Sequence, residues 1–415
     1  MMTGKERVKI SLDHDEPDRV PLIEVAAGNK LASRILGRDV NIFFSGAAIK
    51  NLIELNIDGS NEDKKNFAVN TYKDQLKFFN AMGIDAVPIM PGANVLNSIN
   101  PFGHSGMNDN PAVEVKVLSK NEWKIIDEYG FWSVVKYIPE SDTAVISDHV
   151  LIHEGIKGLK RLLNIWKSKD YSKLPDEWQI AVDSFDTMKE LDEYNDHFIM
   201  GYADILPPFL EPWSGLFFEW IITEPDIIYD YMELQAEGWY TVLKAEIQTG
   251  LIDGVFGSMD WCYKNGCLVS PKHFKKFFAP GLKKIIDLVH KNNMKYIKHC
   301  DGNIFDILDI MIDYCGIDAL QPLEPTGDER MTLSWLKNNY GKKITLCGNI
   351  DCGKMVNWTP EEIEKEVKKA IKIAAPGGGY LLSTSNSLHS GIPPENAFAY
   401  VNAAHKWGEY PIKIS

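Results

Sequence analysis

His299, Cys300 and Asp301 stand in a row. An imidazole, a thiol and a carboxylate in succession are the donor types that hold a divalent metal or move a proton. His299 reads either as a metal ligand or proton shuttle, or as a histidine fixed by the hydrogen bonds of its loop. Cys300 reads as a small buried residue or as a soft ligand. Asp260, next to Trp261, could bind a metal or act as a general base beside an indole; the other reading is a helix cap or turn aspartate. Glu324 lies between Pro322 and Pro325, which restrict the backbone on both sides. It is a site carboxylate or a solvated loop residue. His389 precedes Pro393-Pro394 in a Ser/Asn/Gly-rich loop, as a site residue or a turn histidine.

Other groupings carry less chemistry. Cys262/Cys267 and Cys347/Cys352 share a Cys-x4-Cys spacing that occurs in zinc sites, but zinc fingers need two pairs set closer together, so coincidence is the simpler account. Ala375-Pro-Gly-Gly-Gly379 ends a helix and enters a strand. Because its glycines precede a strand, they are poorly placed to cradle a phosphate. Phe209, Trp213, Phe217, Phe218 and Trp220 read as helix core, or as the floor of an apolar pocket.

The elements that must position these residues follow an alternating pattern. Residues 4–14 form a short amphipathic helix. Arg19–Val25 and Gly83–Met90 read as strands, with helical patterns between them. After residue 195 come strand candidates His197–Tyr202, Gly254–Gly257, Tyr296–His299, Ala319–Pro322, Ile344–Gly348 and Gly379–Leu382. Helical stretches such as Pro271–Asn292 and Thr359–Ala375 separate them; Thr359-Pro-Glu-Glu is a helix start. Eight strands alternating with helices predict a (β/α)8 TIM barrel, an α/β fold, as one domain over 1–415. An open doubly wound sheet is the alternative, but no Gly-x-Gly-x-x-Gly follows any strand. Residues 91–195 break the alternation and are expected to be an insertion over the barrel mouth.

Barrel enzymes place their chemistry at the C-terminal ends of the strands. That rule gathers Asp260, His299, Asn349 and His389 as catalytic candidates. Trp261, Asn303, Gln321 and Asn386 are the expected substrate contacts at the same rim.

The chain has 415 residues and a net charge of −14, a balance that repels phosphate backbones and argues against nucleic acid as a partner. The charged N-terminal stretch does not resemble a secretory signal, and there is no apolar run of about 18 residues to span a membrane. Six cysteines fit reduced thiols in a cytoplasmic protein. Arginine is scarce: Arg7, Arg19, Arg34, Arg38, Arg161 and Arg330 are all there are. A polycarboxylate substrate would call for several of these forks together.

Glu6-Arg-Val…Pro17-Asp-Arg-Val-Pro21 and Ser270-Pro271…His299-x-Asp301-Gly302-Asn303…Gln321-Pro322…Gly348-Asn-Ile-Asp351…Gly377-Gly-Gly-Tyr380…Ser385-Asn-Ser387…Pro393-Pro-Glu-Asn396, in that order, resemble the uroporphyrinogen decarboxylase superfamily. The resemblance covers residues 1–25 and 250–412 and is weak between about 91 and 240. Porphyrin-decarboxylating members resemble each other in an Arg-Gln-Ala-Gly-Arg stretch after the first strand; here that place reads Ala26–Arg34 without it. The resemblance therefore implies the corrinoid-dependent methyltransferase branch. Thiol-methylating members of that branch carry His-x-Cys and a late cysteine, whereas this chain has His299-Cys300 adjacent and Asn386 near the late position.

The implied function is methyl transfer from a small donor, of methoxylated-aromatic type, to the cobalt of a cobalamin-like corrinoid on a separate corrinoid protein. Zinc would assist, with His299, Asp260 and either Cys300 or Glu324 as ligands. Related barrels often pair, so a homodimer is compatible with this reading. The alternatives are a metal-independent decarboxylase using Asp260 and His299 as acid and base, and a non-catalytic barrel that carries a tetrapyrrole or corrinoid.

Overall fold

The computed structural model describes residues 2–42, 45–89, 106–108, 112–207, 215–324 and 328–414. The first helix, Gly4–Leu12, begins at Thr3, whose hydroxyl accepts the Glu6 N–H while the Glu6 carboxylate accepts the Thr3 N–H. That exchange satisfies two donors no helical carbonyl can reach. From this helix Arg7 reaches Asp18 (2.6 and 2.9 Å) and buried Asp85 (3.2 Å). Arg19 makes two further bonds to Asp85 (2.7 and 2.9 Å), and Asp85 also accepts the Leu22 N–H at 2.8 Å. This knot of guanidinium and carboxylate ties residues 18–23 to the start of strand β1 (Ala86–Pro88).

The interrupting segment contains a sheet of its own. Strands β2 (Ala112–Ser119), β3 (Glu122–Asp127), β4 (Trp132–Ile138) and β5 (Thr143–His149) form an antiparallel meander. Trp123, Ile125, Val135 and Ile146 are its buried face. The helix Val150–Lys167 follows. The turn between β4 and β5 is fastened to the helix Asn29–Leu36 and to the turn at Ser390. Lys30 Nζ donates to the Pro139 carbonyl (2.8 Å), and Ser390 Oγ donates to Asp142 (3.0 Å). Residues 91–105, the start of the expected insertion, lie outside the described residues.

The main body is an α/β fold built on a curled sheet. Its later strands are β6 (Phe198–Tyr202), β7 (Gly254–Gly257), β10 (Tyr296–His299), β11 (Ala319–Gln321), β12 (Thr345–Cys347) and β13 (Tyr380–Leu381). Between β7 and β10 lies a small hairpin, β8 (Cys262–Tyr263) with β9 (Gly266–Cys267). Among the described residues, seven strands run parallel in the order β1-β6-β7-β10-β11-β12-β13. Their residues are buried throughout, as expected when helices cover a parallel sheet. Arg19–Val25, expected as a strand, instead makes isolated bridges. Leu22 pairs with Leu382 beyond β13, and Ile23 pairs with Ala86 of β1, both parallel. Pro21 lacks the N–H that a longer ladder would need.

The register aligns the strand ends. Gly257 is level with Lys298, His299 with Gln321, and Cys347 with Leu381. The loops after β7, β10, β11 and β12 therefore leave from one rim. The turn before β13 has Gly377, Gly378 and Gly379 at φ of 79°, 71° and 63°, three successive left-handed residues that side chains would strain. Helix Pro360–Ala374 starts at Thr359 with a reciprocal Thr359–Glu362 cap. Among the described residues, no helix is long and apolar enough to cross a membrane.

Candidate metal centre

The site forms where β7 and β10 end. His299 closes β10, and its side chain is buried. Its Nδ1 is hydrogen-bonded to Gln321 Oε1, and Gln321 Nε2 donates to Ser383 Oγ at 3.3 Å. With the Gln321 amide oriented by that serine, Nδ1 carries the proton. The Nε2 lone pair is then free, the tautomer suited to a metal. Nε2 lies 3.5 Å from Asp260 Oδ1 and 3.7 Å from Asp301 Oδ1. Candidate ligand atoms of Asp260, His299 and Asp301 all lie within 4.8 Å of one another.

Each carboxylate is oriented from behind. Asp260 Oδ1 accepts the Asp301 N–H at 2.7 Å, and Asp301 Oδ2 accepts the Asn386 amide at 2.7 Å. Asp301 Oδ1 is buried and has no hydrogen-bond partner. Burial pushes the Asp301 carboxyl up to about 6; His299 opposes the shift, while the charges of Asp260 and Glu324 add to it. An unpartnered buried oxygen is costly. Here it faces an imidazole nitrogen and a second carboxylate, a donor set that a divalent cation would satisfy.

A buried ion pair holds these two loops together. Lys298 Nζ lies 2.6 Å from Asp204 Oδ2, and both side chains are fully enclosed. Asp204 also accepts the Met259 N–H (2.7 Å), while Lys298 donates to the Met259 carbonyl (2.8 Å). The residue before Asp260 is thus held on both sides by the pair, and the lysine precedes His299. Gly302, at φ 89°, lets the loop pass beneath Tyr263, whose carbonyl oxygen would be 2.7 Å from a Cβ there.

The structure corrects several expectations. Cys300, expected as a ligand, faces away from the cluster, and its sulfur accepts the Trp261 N–H at 3.3 Å. Alternation at the strand end puts 299 and 301 on one side and 300 on the other, so Asp301 stands in the cluster instead. Glu324 is exposed and accepts the Gly302 N–H at 3.3 Å. It lies outside the three-residue group, though near enough to act on Asp301. Trp261, expected to touch substrate, is core: it packs on Phe278 and Phe274, with ring centroids 4.1 and 5.7 Å away. Gln321, also expected as a substrate contact, orients His299.

Asn386 holds Asp301, whereas Asn303 donates to Asp328 at 3.0 Å. Asn349 donates to the Leu323 carbonyl at 3.3 Å and lines a separate cavity of about 510 Å³ with Asp351, Lys354 and Trp358. His389 is occupied by its own turn. Nδ1 accepts the Gly391 N–H (3.1 Å), and Nε2 donates to the Cys352 carbonyl (3.2 Å). Of the apolar stretch, Phe217 and Trp220 are buried core; Phe209 and Trp213 lie outside the described residues. Asp204 and Lys298 were not singled out in the sequence, although a lysine inside the apolar strand Tyr296–His299 was a visible signal.

Comparison with known proteins finds similarity in sequence over the second half of the chain and in fold over nearly all of it. A model of the family described as Uroporphyrinogen decarboxylase (URO-D) matches residues 215–407. The uroporphyrinogen decarboxylase of Pseudoalteromonas atlantica is 27% identical over 191 residues, 45% of this chain and 50% of that protein. Its counterpart in Pseudoalteromonas translucida is 26% identical over 191 residues, 44% and 49% respectively. The chain therefore spans about half the length of the curated relatives it matches. A solved structure described as a methyltransferase from Methanosarcina mazei superposes with a TM-score of 0.60 at 18% identity, covering 98% of this chain and 99% of that one. The likeness shows a shared fold. Residues 215–407, the stretch similar to the uroporphyrinogen decarboxylase family, carry Asp260, His299 and Asp301.

Proposed function

We propose that this chain is a methyltransferase that moves a methyl group from a small donor, of methoxylated-aromatic type, to the cobalt of a corrinoid carried by a separate protein. The reading treats the curled sheet as a closed eight-stranded barrel, with Leu22 and Ile23 as the eighth segment. The observation that carries it is the buried, unpartnered Asp301 Oδ1 facing His299 Nε2 and Asp260. Asp260, His299 and Asp301 would hold the metal, zinc by their donor types. Zinc bound there would supply a Lewis acid for the heteroatom that bears the methyl group.

The remaining work falls to the chain itself. Gln321 orients the His299 ring through Nδ1, Asn386 keeps Asp301 turned toward it, and the Asp204–Lys298 pair fixes the residue before Asp260. The arginines are engaged elsewhere: Arg7 and Arg19 with Asp85, Arg38 with Asp74, Arg161 with Glu154, Arg330 with Asp328, and Arg34 with the Ser390 carbonyl. That leaves no arginine cluster for a polycarboxylate and favours a donor with little negative charge. The protein, incubated with reduced corrinoid and a methoxylated aromatic, should release the phenol and methylate the cobalt. Absence of both products across a panel of methyl ethers, with metal present, would contradict the reading.

The decarboxylase relatives and the Asp301 carboxyl near 6 favour a second reading, acid–base decarboxylation by Asp301 and His299. It predicts carbon dioxide release that chelators do not affect.

A further inference from the structure

Cys262 and Cys267, whose spacing alone reads as coincidence, are brought face to face. They are register partners across the β8–β9 hairpin, with sulfurs 2.8 Å apart. Opposed residues in an antiparallel pair have Cβ atoms about 4.5–5.5 Å apart. A disulfide needs about 3.5–4.5 Å, so closing the bond takes only a small movement. The hairpin turn, Tyr263 to Asn265, is exposed; Cys267 is half-buried and Cys262 buried. Cys300 also neighbours Cys262, but it is buried and sits across from neither hairpin strand, and the remaining thiols are placed elsewhere. Cys300 accepts the Trp261 N–H, Cys315 donates to the Ala279 carbonyl, Cys347 is enclosed, and Cys352 meets Ser385.

We propose that Cys262 and Cys267 form a redox-active dithiol, a site that small disulfide compounds oxidise by exchange to a reversible intrachain disulfide. The thiolate of the more accessible Cys267 attacks one sulfur of the small disulfide. A protein–small-molecule mixed disulfide forms, and one small thiol leaves. The Cys262 thiolate then attacks Cys267 Sγ, the intrachain bond forms, and the second small thiol leaves. Two protein thiols are oxidised, one small disulfide is reduced to two thiols, and the protons of Cys262 and Cys267 pass to the departing thiolates.

The bond would stiffen a segment that bears on the candidate site. β8 begins two residues after Asp260, the Tyr263 carbonyl accepts the Asn303 N–H at 2.9 Å, and the Leu268 N–H donates to the Trp261 carbonyl at 2.8 Å. The inference is independent of the metal and of the methyl-transfer reading.

The test uses the whole chain, reduced, then treated with oxidised glutathione, alkylated under denaturing conditions and mapped by peptide mass spectrometry. Cys262 and Cys267 should escape alkylation as one cross-linked pair, return on adding dithiothreitol, and leave the other four thiols fully alkylated. In Cys262→Ser, exchange should stop at its first step, with glutathione retained on Cys267. Full alkylation of both cysteines in the wild type, or two separate glutathione adducts without a cross-link, would overturn the proposal; neither result depends on how the variant folds.

Discussion

Lys298 and Asp204 meet 2.6 Å apart inside the sheet, both fully enclosed, and between them take up the N–H and the carbonyl of Met259. The pair ties the loop bearing Asp260 to the strand bearing His299. A buried charge is tolerated only with its partner and its hydrogen bonds in place.

Removing one member should therefore be worse than removing both. Lys298→Met or Asp204→Leu is expected to destabilise the fold by about 3–5 kcal/mol, and the double variant Lys298→Met/Asp204→Leu by clearly less. Urea denaturation of the three variants checks this. Additive losses in the double variant would mean that the two residues act separately.

The ligand assignment separates neighbours in the sequence. Cys300→Ala should leave metal affinity unchanged, because its sulfur faces Trp261. Gln321→Ala should weaken metal binding by about 10–100-fold without abolishing it, as loss of a hydrogen bond behind a ligating histidine does. Competition against a chromophoric chelator measures both. A Cys300→Ala variant that loses the metal would return the thiol to the ligand set.

Glu24 gives a pH signature away from the site. It is fully enclosed, and burial raises its carboxyl to about 7, partly opposed by bonds from the Thr384 hydroxyl and N–H and the Tyr400 hydroxyl. The folded state then keeps a proton that the unfolded chain releases near its ordinary value, about 4.3. Its contribution to stability is fully present below that value. It is lost as pH rises toward 7, with a slope of about 1.4 kcal/mol per pH unit in between. Glu24→Gln should flatten that part of the stability–pH curve. Denaturation at several pH values from 4 to 8 decides it; an unchanged slope would place the titration elsewhere.

Much of the parallel sheet was legible in the sequence. Gly254–Gly257 and Tyr296–His299 are bounded as expected, since each is a short apolar run set off by turn residues. The meander over 112–149 was not read, although Val113-Glu-Val-Lys-Val117 alternates as a half-buried strand does. Its antiparallel pairing interrupts the strand–helix rhythm, which marks the segment as an insertion without revealing the strands inside it. At the site, the rim was legible but the choice between Cys300 and Asp301 was not. That choice depends on the phase of the pleat where β10 ends, and a one-residue shift reverses it. Trp261 and His389 went astray for a related reason: a position near the rim does not say which way a side chain turns.

The central claim is that Asp260, His299 and Asp301 hold one divalent metal. Elemental analysis of the purified wild type, His299→Ala and Asp301→Ala tests it most directly. About one zinc per chain in the wild type, lost in both variants while their folds persist by circular dichroism, is the predicted result. A folded wild type that stays metal-free after incubation with zinc, or variants that keep the full complement, would contradict it.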